Sequence, residues 1–210
     1  MASTATGAAR KKPQPESVPA YLIKEVIDGI PVYYKGYREV LADLKTPEEI
    51  MADGFLQVIL KSWMARILLT GLDASKYWIG VGEVGSHISH KNNMAHDLAV
   101  YEKSALPASK ISNRYADVPA KLVVEIDTEI EYGEDLPVET YVHRKTQNTL
   151  DFGTEKVVWI FTASRKVMVA ERGQDWIISD WNKTCELLDG IQLNIPEYLK
   201  EQGIPLEMQD

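Results

Sequence analysis

The sequence predicts an α/β (α+β) domain with an αβββαβ core, a mixed sheet and a β-hairpin at each end. Three observations carry this. A helix-period apolar run over 50–69 precedes three strand-length runs at 76–84, 97–101 and 120–127. A second helix-length segment follows at 140–150, and then an unbroken apolar run at 157–162. Turn pairs at Asp28-Gly29 and Arg172-Gly173 sit between short apolar runs near either end.

Length and composition bound the rest. At 210 residues with 45% hydrophobic content, the chain can bury one sizeable core. The expected organisation is a disordered tail at 1–18, one domain at 19–202 and a short tail at 203–210. The tail reading rests on small, polar, proline-punctuated residues without periodicity, and Arg10-Lys11-Lys12 in it reads as a solvated charge run. A single cysteine, Cys185, excludes a disulfide framework and a Cys-rich metal site. No apolar run approaches the roughly 20 residues of a membrane helix, and no signal-peptide core is visible, so a cytoplasmic protein is expected. The net charge of −8 argues against loose polyanion binding. It leaves room for a carboxylate-rich nuclease that becomes less negative when its ions bind.

In chain order, residues 21–34 read as two short strands around Asp28-Gly29, with Pro31 placing the second at a sheet edge. Thr46-Pro47-Glu48-Glu49 reads as an N-cap, a proline at the first helical position and a capping box. Met51, Phe55, Leu56, Ile59, Leu60, Trp63, Ile67 and Leu68 then give one long helix a broad apolar face, stopped by Gly71. Gly80-x-Gly82-x-x-Gly85 matches a dinucleotide fingerprint on paper, but only about ten polar residues precede the next strand, too few for a helical crossover. A bulged strand running into a hairpin loop explains these glycines better. That loop also carries His87, His90 and His96. As zinc ligands they would have to converge from an irregular loop, and exposed or backbone-bonded histidines are the simpler reading. Residues 129–139 read as an acidic loop, and 196–202 as a terminal helix. The three middle strands are expected to be antiparallel neighbours, with the strand at 157–162 parallel to the third.

The third strand carries the strongest chemical signal. Side chains alternate along a strand, so Leu122, Val124 and Ile126 share one face while Val123, Glu125 and Asp127 share the other. Carboxylates on one face of an apolar strand are costly without a cation or hydrogen-bond donors. Asp97, on the preceding strand, adds another. The residues alone also allow a plain reading: Asp97 caps a loop, Glu125 pairs with Lys145 or Arg144, and Lys145 is an ordinary exposed helix lysine. His143 and Arg144 read as exposed residues or phosphate contacts. Cys185, before an apolar run, reads as a buried thiol. The aromatic residues Phe55, Trp63, Trp176 and Trp181 read as core before interface.

From about residue 21 to 198 the chain resembles the PD-(D/E)xK nuclease superfamily, and more narrowly the bacterial Uma-type family of proposed restriction endonucleases. Glu25-Val-Ile-Asp28-Gly29 resembles that family's E-x-x-D-G hairpin. Ala95-His96-Asp97-Leu98-Ala99-Val100 resembles its P-D-V-A-V strand, and residues 119–126 its P-D-L-V-V-E-V strand. Lys145, Gly153 and Trp159-Ile160 resemble its helix–strand unit, and residues 187–191 its closing L-x-G-L segment. The chain departs from the pattern at His96, where the proline would stand. It departs again at Asp127, in the place of the superfamily lysine, and at Thr128, where serine is usual. The resemblance implies that Lys145 supplies the lysine from the following helix.

The resemblance also implies phosphodiester hydrolysis of DNA. Asp97 and Glu125 would hold Mg²⁺ (or Mn²⁺), with Asp127 as a further ligand and Lys145 beside the attacking water. Glu25 either completes the metal shell through water or lies on the hairpin surface, the surface being slightly favoured. Cutting both strands of a duplex takes two sites, so a homodimer is expected. The alternative is a catalytically degenerate nuclease fold that binds DNA or a protein, which the exchanges at Asp127 and Thr128 favour.

Overall fold

The computed structural model describes residues 18–89, 92–126, 130–132 and 137–205. The expected tails fall outside these residues except at 18 and 203–205, and Asp127, Thr128 and His90 fall outside them as well. Residues 203–205 are not simply a tail, because Ile204 packs on the core.

The N-terminal hairpin forms as expected, from β1 (Ile23–Ile27) and β2 (Ile30–Tyr34). Asp28 and Gly29 both adopt positive φ, as the tight turn requires. After a short α1 (Tyr37–Leu41), the capping box at Thr46 and Glu49 opens α2 (Pro47–Met51). The expected single helix is in fact two. Ala52 is extended, and Gly54 becomes the N-cap of α3 (Phe55–Gly71). Asp53-Gly54 combines two poor helix formers, which makes this the cheapest point in the run to break.

The strands β3 (Tyr77–Ser89) and β4 (Asn92–Glu102) form one long antiparallel hairpin, so the expected polar loop is mostly strand. Then come β5 (Leu122–Ile126), β6 (Ile130–Tyr132), α4 (Val138–Phe152) and β7 (Lys156–Phe161). The C-terminal hairpin is β8 (Lys166–Glu171) and β9 (Ile177–Asp180), followed by β10 (Cys185–Glu186), β11 (Gln192–Leu193) and α5 (Ile195–Glu201).

Among the described residues nine strands make one mixed sheet, ordered β6-β2-β1-β4-β5-β7-β8-β9 with β3 on β4. The strands β3, β4 and β5 are antiparallel neighbours and β7 is parallel to β5, as the sequence predicts. The acidic segment expected as loop instead contributes β6, which covers β2 at Val32, Tyr33 and Tyr34. Pro31 therefore lies in an inner strand, but at its first turn, beyond the residues that β6 pairs.

Two cores flank the sheet. On one face α3 and α5 pack over Leu98, Val100, Leu122, Val124 and Ile126, with Trp63 stacked on Tyr198 at 4.2 Å. On the other, α4 packs over Ala99, Val123, Val157 and Trp159. The alternation read from the third strand thus holds. Trp63 and Trp181 are buried, Trp176 is partly buried, and Phe55 is exposed rather than core.

The glycine pattern resolves into a β-bulge. Between the pairs Val81–Leu98 and Val84–His96, two residues of β3 (Gly82 and Glu83) oppose Asp97. Gly82 holds φ at +89° with open space around its α-carbon. Gly82→Ala should therefore cost about 1–2 kcal/mol through backbone strain alone, lowering Tm by about 2–4 °C per kcal/mol. A thermal melt identical to wild type would mean that no left-handed residue is needed there.

Candidate active site

The strand β4 is the pivot of the sheet. One of its edges is paired with β3 from end to end. Its other edge meets β1 only at Asn93 and β5 only at Leu98, Ala99 and Val100. Between Asn93 and Leu98 this edge has no strand partner among the described residues, so β1 and β5 diverge there as a fork. Ala95, His96 and Asp97 stand in the fork, and a cavity of about 240 Å³ opens onto them. Asp97, Glu125, Lys145 and Lys61 all line it.

Helix α4 closes the fork with Lys145, which is 3% exposed. Its Nζ donates to the Ala95 carbonyl at 2.7 Å and lies 3.0 Å from Glu125 Oε1 and 3.3 Å from Glu25 Oε1. Burial alone would lower the pKa of this ammonium, but Glu125 and Glu25 outweigh it and raise it well above the usual lysine value. Glu125 shows the same balance from the other side. Burial pushes its carboxyl up, but Lys145 and His96 pull it down to about 2.

His96 Nδ1 is 2.7 Å from Glu125 Oε1. An ionised Glu125 can only accept, so Nδ1 carries the proton and donates. Tyr141, one turn before Lys145 on α4, donates to Glu25 Oε1 at 2.5 Å. Glu25 is therefore buried and not, as slightly favoured from sequence, at the surface; its Oε2 is buried with no partner.

Asp97 sits on the opposite side of the cavity. Its Oδ2 accepts the backbone N–H of Ile126 at 2.7 Å, and its Oδ1 pairs with Lys61 Nζ at 2.7 Å. Burial and the neighbouring charge of Glu125 raise its pKa, against the pull of Lys61 and the Ile126 N–H. Lys61 also meets Asp53 at 2.7 Å, which ties the break between α2 and α3 to the site. Gln57, also on α3, donates to the Ile126 carbonyl at 2.7 Å.

The structure therefore brings together Asp97, Glu125 and Lys145, and places Glu25 behind Lys145. It does not cover Asp127. Sequence reasoning missed Lys61, Gln57 and Tyr141, and favoured an exposed or backbone-bonded His96, which is instead buried against Glu125. A lysine among the apolar residues of α3 was the available signal for Lys61; nothing in the sequence marks Tyr141. The plain reading of Lys145 as an exposed lysine does not hold, and Arg144 instead lies near Asp28, at 3.9 Å. His143 is exposed and rests against Trp176. Cys185 is half-buried, and burial raises its pKa.

Among the described residues the loop histidines do not form a cluster. His87 is on β3 and bonds Asn93, while His96 bonds Glu125. Among the described residues no three His, Cys, Asp or Glu side chains converge as a metal site. Asp97 and Glu125 are a pair of oxygen donors on one cavity, Asp97 paired with Lys61 and Glu125 with Lys145. This donor set fits a small hard cation that keeps much of its water, and does not fit tetrahedral zinc.

Models of known protein families and curated proteins give no match to this chain. Solved structures do. One is the crystal structure of a "putative nuclease belonging to DUF820" from Anabaena variabilis, with a TM-score of 0.53 at 16% sequence identity. The match covers 65% of this chain and 74% of that one. The likeness is one of fold, and with the αβββαβ order it makes this a restriction-endonuclease-like fold. Among the described residues no helix is long and apolar enough to cross a membrane.

Lys145→Met should leave Glu125 and Glu25 buried without their cation, at a cost of about 3–5 kcal/mol. The sign of the pH dependence should change with it. In the wild type, Glu125 is depressed, so its stabilisation is present above its unfolded pKa and lost as pH falls toward about 2. In the variant burial raises Glu125, so relative to wild type stability should grow as pH falls from 7 to 5. Denaturant titrations at both pH values measure this; equal pH slopes in the two proteins would contradict the pairing.

Proposed function

We propose that this chain is a metal-dependent endonuclease that hydrolyses phosphodiester bonds in DNA, with the site of the Uma-type nucleases. The observation that carries this reading is Lys145. Asp127 stands in sequence where the superfamily strand carries its lysine, and an ammonium from α4 lies 3.0 Å from Glu125 instead. A structural ion pair does not need to border a cavity that a second carboxylate, Asp97, shares. The likeness of fold to a protein described as a nuclease agrees with it.

In this reading Asp97 and Glu125 hold Mg²⁺ or Mn²⁺, and Asp127 is a further ligand. The chemistry this ion supplies when bound is charge on a nonbridging phosphate oxygen and a more acidic water. Lys145 stays protonated, so it is not the general base; it stabilises negative charge as it develops at phosphorus. Glu25 and Tyr141 hold the Lys145 ammonium in place. His96 fixes the Glu125 carboxylate, leaving its other oxygen for the cation. Lys61 compensates Asp97 until the ion takes over that role. Cleavage of both strands of a duplex would require a homodimer.

A second reading is a nuclease fold that binds DNA or a protein without cutting. The bond from Lys61 to Asp97 favours it, because a lysine already answers the charge that a metal would answer.

Calorimetric titration with Mg²⁺ or Mn²⁺ separates the two. The wild type should bind, Glu125→Ala should not, and Lys145→Met should bind but lose DNA cleavage by about 10²-fold or more. Absence of binding to wild type at millimolar metal would support the binding module.

A further inference from the structure

A second cavity of about 240 Å³ lies beside the first, and Lys24 and Ala95 line both. Its other walls include Asn93 on β4 and Tyr115 from the loop before β5. We propose that this second cavity is a subsite for one unpaired nucleotide of the substrate, its base stacked on Tyr115. The inference rests on the hydrolytic reading of the neighbouring site, and names the strand state that the site takes.

Tyr115 is an aromatic ring presented rather than packed away. It lies flat against the backbone of Gly85, where any side-chain carbon would come within 2.3 Å of the ring. The chain around it is pinned to β3, with Ala116 donating to the Gly85 carbonyl at 2.9 Å and His87 donating to the Ala116 carbonyl at 2.8 Å. A ring held against glycine on one side, yet 57% exposed, keeps a surface free for a stacking partner. Those bonds hold the backbone beside it and the ring rests on Gly85, so less conformational freedom is lost when a base lies on it.

The polar groups suit the rest of a nucleotide. The side-chain oxygen of Asn93 is engaged by His87 Nδ1 at 2.6 Å, so its NH₂ is the group left to donate to a base edge. Lys24, shared by both cavities, stands where a phosphate next to the one being cleaved would lie. The remaining walls are Val26, Met94 and Glu25, whose Oε1 is already engaged by Tyr141 and Lys145. The cavity, about 240 Å³ and open to solvent, lets a base lie on the ring, a face that a base stacked within a duplex does not offer. Stacking on an aromatic ring is open to any base, so the subsite selects unpaired strand over sequence.

Fluorescence anisotropy in EDTA tests this, with one short oligonucleotide offered as single strand and as blunt duplex. The wild type should prefer the single strand. Tyr115→Ala should weaken that binding about tenfold or more, and Tyr115→Phe should restore it. Lys24→Gln should reduce the slope of log affinity against log salt by about 0.7. Equal single-strand binding by wild type and Tyr115→Ala, or a preference for duplex, overturns the subsite. Metal-dependent cleavage of the same oligonucleotides keeps the two ideas apart. Cleavage with no effect at Tyr115 sinks the subsite alone, and Tyr115-dependent binding without cleavage sinks the hydrolytic reading alone. Failure of the wild type to bind either strand form overturns the subsite, and metal-dependent cleavage then decides the hydrolytic reading by itself.

Discussion

The site depends on one buried ammonium. Lys145 reaches from α4 into the fork of the sheet and satisfies Glu125, Glu25 and the Ala95 carbonyl together. A charge with so little access to water survives only because two carboxylates answer it, and each of them is tolerable only because of the lysine. The three elements that carry these groups, β1, β5 and α4, are thereby held in one mutual arrangement. Removing that charge takes away the polar tie between the three, and leaves the strand pairing and the apolar core to hold the fork.

Around this centre the two sides of the cavity differ in character. Lys145 and His96 pull the Glu125 carboxyl down to about 2. Asp97 is raised by burial and by Glu125, although Lys61 pairs with it. Two neighbouring carboxylates whose environments push them apart in this way mark sites of chemistry more often than of packing. The bulge at Gly82 and Glu83 adds to the effect, because it lies directly across β4 from Asp97 and lets β3 follow the bend of its partner.

Much of the architecture could be read from the sequence because it follows local rules. The Asp28-Gly29 turn, the capping box at Thr46, the bulge glycines and the parallel return of β7 each declare themselves within a few residues. Period-two alternation around Glu125 placed its side chain on the α4 face, where the structure has it. The misreadings share a cause, which is tertiary pairing. The polar residues 86–89 and 92–95 are strand because β4 and β3 hold each other, and Ile130–Tyr132 is strand because β2 offers an edge. The partner of Asp97 could not be read because Lys61 is 36 positions away on a helix whose face looked wholly apolar. Asp53-Gly54 was a local signal for the helix break, outweighed in the reading by the apolar periodicity around it.

The bond from Lys145 to Glu25 spans 120 residues of chain. Closing so long a loop is slow compared with forming a hairpin or a helix, since its entropy must be lost before any contact repays it. The hairpin of β1 and β2 and the helix α4 can each form early, but their meeting comes late. During synthesis the N-terminal hairpin waits for more than half of the chain to be made. A partly folded chain can therefore pair Lys145 with Glu125, 20 residues before it, while Glu25 is still missing from the pair. The centre exists as a chemical unit only once the whole sheet has closed, and its ionisation state reports the completion of folding.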